Sequence, residues 1–227
     1  NSYSFRVFKW WEKEFPRTEF SYVNGGIGGT SSHFGAARIW QDLLMYQPDM
    51  VVVDFSVNDI GDDEAFFQET YEGVIRRILT CFWEPAVLIL NNVYYDSGFT
   101  VQESHNEIGA WYHIPHVSMK DTLYRKVEKG IYRRDEITQD GLHPNDRGHE
   151  LVASEIIALL GRIKAYMWEE EEMPPVPDAM TANAYEHARR LTIREAVPEL
   201  AGFRIDTEEK TGHLDVFKNG WIGRGAG

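Results

Sequence analysis

Two mainly apolar runs set the strongest limit on how this chain folds. Met50 to Phe55 and Ala86 to Val93 are each short, rich in branched side chains and bounded by polar or turn residues. Such runs read as strands buried on both faces, the pattern of a parallel sheet covered by helices. The stretches around them carry helical spacing instead. Tyr3 to Phe15 places Phe5, Phe8, Trp11 and Phe15 on one stripe and stops at Pro16. Phe34 to Tyr46, Glu64 to Phe82, Val101 to Tyr112 and Asp146 to Tyr166 read as further helices; Phe20 to Val23 and His116 to Met119 read as short strands. Strands alternating with helices imply βαβ units, with chemistry gathered in the loops beyond the C-terminal strand ends. Those loops are 24–32, 56–63, 94–100 and the stretch reaching His143.

The 227 residues suit one sizeable domain plus a smaller piece, and 43% hydrophobic residues supply a packed core. A net charge of -13 repels phosphate backbones and argues against a nucleic-acid partner. No apolar run is long enough to span a membrane, and no signal peptide is visible. The single cysteine, Cys81, rules out an intrachain disulfide and reads as a buried structural thiol. His105, His113 and His116 lack metal-site spacing and read as surface or satisfied core histidines. Trp10 and Trp11, adjacent on a helix, are not expected to face one core together.

At Glu169 the composition changes. The acidic run Glu169–Glu172 and the proline-rich Met173–Pro177 mark a solvated boundary. The expected organisation is a main domain over 1–166, a linker over 167–180, and the start of a second module over 181–227, with a helical stretch from Ala182 to Leu191.

Three polar clusters fall in the loops named above. In Asp140-Gly141-Leu142-His143-Pro144-Asn145-Asp146, an acid three residues from a histidine can accept one ring N–H and leave the other nitrogen to take a proton. Alone, the pair also fits plain loop and cap roles. The run Asn24-Gly25-Gly26-Ile27-Gly28-Gly29-Thr30-Ser31-Ser32 offers backbone N–H groups to an anion. It lacks the lysine of a phosphate loop and the third glycine of a dinucleotide fingerprint, and a plain glycine turn is its other reading. Ser56-Val57-Asn58-Asp59 places a side-chain amide beyond the most apolar strand, where it can stabilise an oxyanion. The acids Asp54, Asp59, Asp62, Asp63 and Glu64 also suggest a calcium loop, though its EF-hand form fails because Asp59 stands where that pattern needs Gly, or an unpatterned acidic surface.

Taken in order, the three clusters resemble the SGNH hydrolase (GDSL esterase/lipase) superfamily over residues 1–166. The resemblance implies an α/β fold, a three-layer flavodoxin-like α/β/α sandwich with a parallel sheet. It implies oxyanion donors at Gly29 (backbone N–H) and Asn58 (side-chain amide), His143 as general base and Asp140 as its orienting acid. It implies metal-free, cofactor-free serine ester hydrolysis of a small-molecule or carbohydrate ester, such as an acetylated sugar; a lipid ester is the second choice. Many members carry Gly shortly before the Asn, where this chain has Ser56 and Val57. The family's Gly-Asp-Ser block with its nucleophile is expected upstream of Asn1; Ser31 and Ser32 have no nucleophile role in the family geometry. Thr181–Glu186 and Phe217–Trp221 resemble the link into a β-sandwich module that follows some bacterial members. A non-catalytic glycan-binding SGNH-like protein and a metal-dependent hydrolase built on the acidic cluster stand as rival readings. Tyr94, Tyr95 and Phe99 are candidates either to line a cleft or to pack.

Overall fold

The structure is a computed structural model that describes residues 2–61, 63–166, 174–196, 198–208 and 219–223. Contacts divide the chain into two compact units, Asn1–His187 and Ala188–Gly227. The acidic run at 169–172, Asp62, Phe217 and Lys218 lie outside the described residues.

In the first unit, α1 (Tyr3–Glu14) starts where the Ser2 hydroxyl accepts the Phe5 N–H and ends before Pro16. It is followed by α2 (Ser32–Asp42) and a 3₁₀ turn at Leu44–Tyr46. The sheet is parallel, in the order β1 (Met50–Val53), β2 (Ala86–Asn91), β3 (His116–Ser118). Its register pairs Met50 with Ala86 and Ile89 with His116. The crossovers are α3 (Glu64–Leu79), capped by Asp63 on the Phe66 N–H, and α4 (Gln102–Trp111). A π-helical turn at Lys120–Tyr124 leads through α5 (Arg125–Glu128) and α6 (Arg134–Ile137) to α7 (Asp146–Tyr166).

Alternation along β2 builds the layers. Leu88 and Leu90 join Val7 of α1 and Leu151, Val152, Ile156 and Leu160 of α7 in one buried cluster. On the opposite face, Ile89 reaches Gly109 of α4 and the Asn91 amide bonds Asn106. Helices α2, α3 and α4 pack in sequence on that face, and α1 packs on α7 on the other. This is the α/β/α sandwich, with β2 covered on both faces.

Four local expectations change. β1 reads iBeB rather than buried on both faces: Val52 is 40% exposed, because the strand pairs only with β2 among the described residues. Phe20–Val23 joins no described sheet; Tyr22 instead packs on Phe5 and Phe8 and bonds Ser4. Trp10 and Trp11 both pack against the α1–α7 core, edge to face at 5.0 Å. No helix forms over 182–191: Asn183 has φ +54°, and the Thr181 hydroxyl accepts its N–H, a turn that a helix does not continue through. Cys81 lies just past α3, half-buried, with its thiol donating to the Arg77 carbonyl.

In the second unit, β4 (Phe203–Ile205) pairs antiparallel with β5 (Trp221–Gly223). No helix among the described residues is long and apolar enough to cross a membrane.

Candidate active site

The loop between α6 and α7 is built around one carboxylate. Asp140 Oδ1 accepts the N–H groups of Leu142 (3.0 Å) and His143 (2.8 Å) and the Thr138 hydroxyl (3.1 Å). Asp140 Oδ2 lies 2.7 Å from His143 Nδ1. These bonds, the His143 side chain first, hold the Asp140 carboxyl far below the usual carboxylate range. An Nδ1–H donor on that carboxylate fixes the tautomer in which Nε2 is the free acceptor. The imidazole is 77% exposed, and Nε2 has no partner among the described residues. Gly141 permits the loop: its φ is +85°, and a Cβ there would lie 2.0 Å from an Asp96 oxygen. Its carbonyl accepts the Tyr95 N–H at 2.7 Å, which ties the loop to the segment after β2. Asn145 caps α7 by accepting the Gly148 N–H.

The other two clusters meet each other. After β1 the chain turns so that the N–H groups of Asn58 and Asp59 both donate to the Phe55 carbonyl. Asn58 is half-buried. The buried Asp59 reaches across to the glycine loop, where its Oδ1 accepts the Ser32 N–H at 2.7 Å. Gly29 is exposed in a turn at φ +71°, with open space where a Cβ would stand. Among the described residues, no hydrogen bond joins His143 to Asn58 or Gly29; the dyad loop and this pair of loops are separate constructions around the strand ends. Ser32 turns its hydroxyl into the core against Thr70, and Ser31 Oγ lies 2.6 Å from His33 Nδ1.

The acids after β1 do not act as one cluster. Asp54 is held by the Tyr3 hydroxyl (3.0 Å) and the Asn92 amide; burial pushes its carboxyl up against the lowering effect of those bonds. Asp59 serves Ser32 and His105, and Asp63 caps α3. Among the described residues, no group of three or more acids or histidines is placed to hold a metal ion.

Residue types alone did not reveal two further groups. His105, buried in α4, places Nε2 3.0 Å from Asp59 Oδ2 and stacks flat on Tyr71, 3.7 Å between ring centres and 3° apart. Beside this pair opens a cavity of about 260 Å³ lined by Phe67, Phe99, Glu64 and Glu103 among others. Of the three aromatics after β2, Phe99 faces this cavity, Tyr95 is buried in the core, and Tyr94 packs against Phe99.

A parallel sheet between two helical layers, with polar loops beyond the strand ends, defines the class: a three-layer α/β/α domain. The chain belongs to the GDSL-like lipase/acylhydrolase family, whose model matches residues 2–151. It is similar to a two-domain esterase active on acetylated mannans, solved with mannopentaose. Identity is 43% and TM-score 0.89, over 97% of this chain and 58% of that one. A second structure of a two-domain esterase active on acetylated mannans gives 43% identity and TM-score 0.90, over 96% and 58%. An acetylxylan esterase from Geobacillus stearothermophilus, 16% identical with TM-score 0.59 over 71% of this chain and 81% of that one, shares the fold. The chain thus spans 58% of the length of the two-domain esterase. No curated protein sequence matches it significantly.

Proposed function

We propose that the protein carrying this chain is a serine esterase that removes acetyl groups from a mannan-type carbohydrate through an acyl-enzyme. The observation that carries the reading is the Asp140–His143 contact at 2.7 Å with the imidazole left open on its Nε2 side. The 43% identity to an esterase active on acetylated mannans supports the substrate class. The nucleophilic serine belongs to a segment outside these 227 residues.

His143 Nε2 takes the proton of that serine as its oxygen bonds to the acetyl carbonyl carbon. The carbonyl π pair moves to oxygen, and the Gly29 N–H and the Asn58 amide donate to the oxyanion. Collapse breaks the bond to the sugar oxygen, which takes the proton back from His143. Water, deprotonated by His143, then attacks the acyl-enzyme; acetate leaves and the serine recovers its proton. Asp140 holds the ring and stabilises its cationic form in both halves.

The test uses the protein extended upstream of Asn1, with p-nitrophenyl acetate and acetylated mannan as substrates and a serine-directed phosphonate as probe. The expected result is a phosphonate adduct on a serine upstream of Asn1 and turnover lost by about 10⁴-fold or more in His143→Ala. Mannan binding with no adduct and no turnover would overturn the esterase reading in favour of a glycan-binding protein.

A further inference from the structure

The Asp59 side chain joins the two loops assigned to the oxyanion. It follows Asn58 directly, and its own N–H closes the turn onto Phe55 that carries Asn58. Its Oδ1 accepts the Ser32 N–H at 2.7 Å, three residues beyond Gly29. Its Oδ2 is held by His105 Nε2 at 3.0 Å. Asp59 is 4% exposed and His105 is 1% exposed, so neither bond competes with bulk water. The support continues behind them. His105 lies flat on Tyr71, Phe55 meets Tyr71 edge-on, and Gly35 of α2 sits so close to Phe55 that a Cβ there would be 2.6 Å from the ring. One continuous stack therefore runs from α4 through α3 and the β1 turn to α2.

We infer that Asp59, clamped by His105, is a positioning residue that sets the spacing between the two oxyanion donors, Gly29 and Asn58. The inference rests on the esterase reading above. It follows from how steeply such donors work: preorganised donors stabilise developing charge only at about 2.7–3.1 Å. A misplacement of about 1 Å costs about 10²-fold in rate. The glycine loop has nothing within 4 Å of where a Gly28 or Gly29 Cβ would stand, so packing around those positions does not fix it. The Ser32–Asp59 bond is its anchor to the Asn58 turn.

The experiment uses the upstream-extended enzyme, with active sites counted by phosphonate burst so that kcat is per competent site. Asp59→Ala is expected to lower kcat by about 10²-fold while KM moves less than about threefold. Asp59→Asn is expected to recover most of that loss. Its amide oxygen still accepts the Ser32 N–H, and its NH₂ can donate to His105 Nε2 once the ring proton moves to Nδ1, which has no partner among the described residues. Should Asp59→Ala fold poorly, Ser32→Pro removes the N–H at the first position of α2, where proline is tolerated, together with the hydroxyl that bonds Thr70; Ser32→Pro is expected to lower kcat in the same way, and Ser32→Ala, which removes the hydroxyl but keeps the N–H, is not. Asn58→Ala separates the two ideas. If Asn58→Ala lowers kcat by about 10²-fold or more and neither Asp59→Ala nor Ser32→Pro does so per competent site, the positioning role is overturned. If Asn58→Ala itself leaves kcat intact, the oxyanion assignment beneath it falls instead.

Discussion

At the residue scale the proposed mechanism rests on Asp140, whose four bonds would serve two purposes. The three to Oδ1 close the loop, and the one to Oδ2 orients His143. Asp140→Asn keeps the shape and the loop bonds, but its amide N–H can face Nδ1 and favour the wrong tautomer. Turnover of the extended enzyme is expected to fall by about 10³–10⁴-fold with KM little changed, measured on p-nitrophenyl acetate. A loss under tenfold would mean that Asp140 only shapes the loop. This pair was legible in the sequence because its partners are three positions apart, so the loop itself brings them together. The Asp59–His105 pair was not legible. Its members are 46 positions apart, and neither type nor spacing marks them until α4 is laid against the β1 turn.

At the scale of elements, α3 carries a buried carboxylate of its own. Glu72 is fully buried and accepts the Met180 N–H (2.6 Å), the Thr181 N–H (2.8 Å), the Thr181 hydroxyl and the Tyr112 hydroxyl. One turn on, Arg76 donates to Glu186 and to the Pro177 carbonyl. These bonds fasten 177–186 along α3. Burial opposes ionisation of Glu72, but the Thr181 and Tyr112 bonds outweigh it and hold the carboxyl below its ordinary range. A depressed acid contributes stability that is full above the unfolded value of about 4.3 and is lost as pH falls through the folded one. Glu72→Ala strands several donors and is expected to cost about 2–4 kcal/mol at pH 7. Urea unfolding should show this, and below about pH 4 the gap between variant and parent should narrow. A gap that stays constant with pH would show that the carboxylate charge is not what matters. The helix expected over 182–191 failed at this place for the same reason. Apolar spacing favoured a helix, but Thr181, Asn183 and Glu186 spend their polar atoms in a turn whose partners lie on α3, over a hundred positions away. The strands and long helices were legible because periodicity is local. The open face of β1 at Val52 depends on which strands pair, and the run itself does not encode that.

At the scale of the whole chain, composition placed a boundary near the acidic run at 169–172, whereas contacts divide the chain at 187 and 188. The two differ because charge and proline report solvation, while buried bonds report attachment. Residues 174–180 read as linker and 181–187 as the start of the second module, yet together they give Glu72 donors, Arg76 acceptors and the Trp111 indole its partner at Asp178. We expect 174–187 to belong energetically to the first unit. Beyond it, β4 is exposed throughout, and a two-stranded sheet contributes little stability of its own. A chain ending after His187 should therefore melt within about 2 °C of the 227-residue chain. One ending before Pro174 should melt roughly 10 °C lower, since about 3–5 kcal/mol of buried bonding goes with the segment. Differential scanning calorimetry on the three lengths decides it. If both truncations melt alike, the bonds to Glu72 and Arg76 add nothing, and the composition boundary is the physical one.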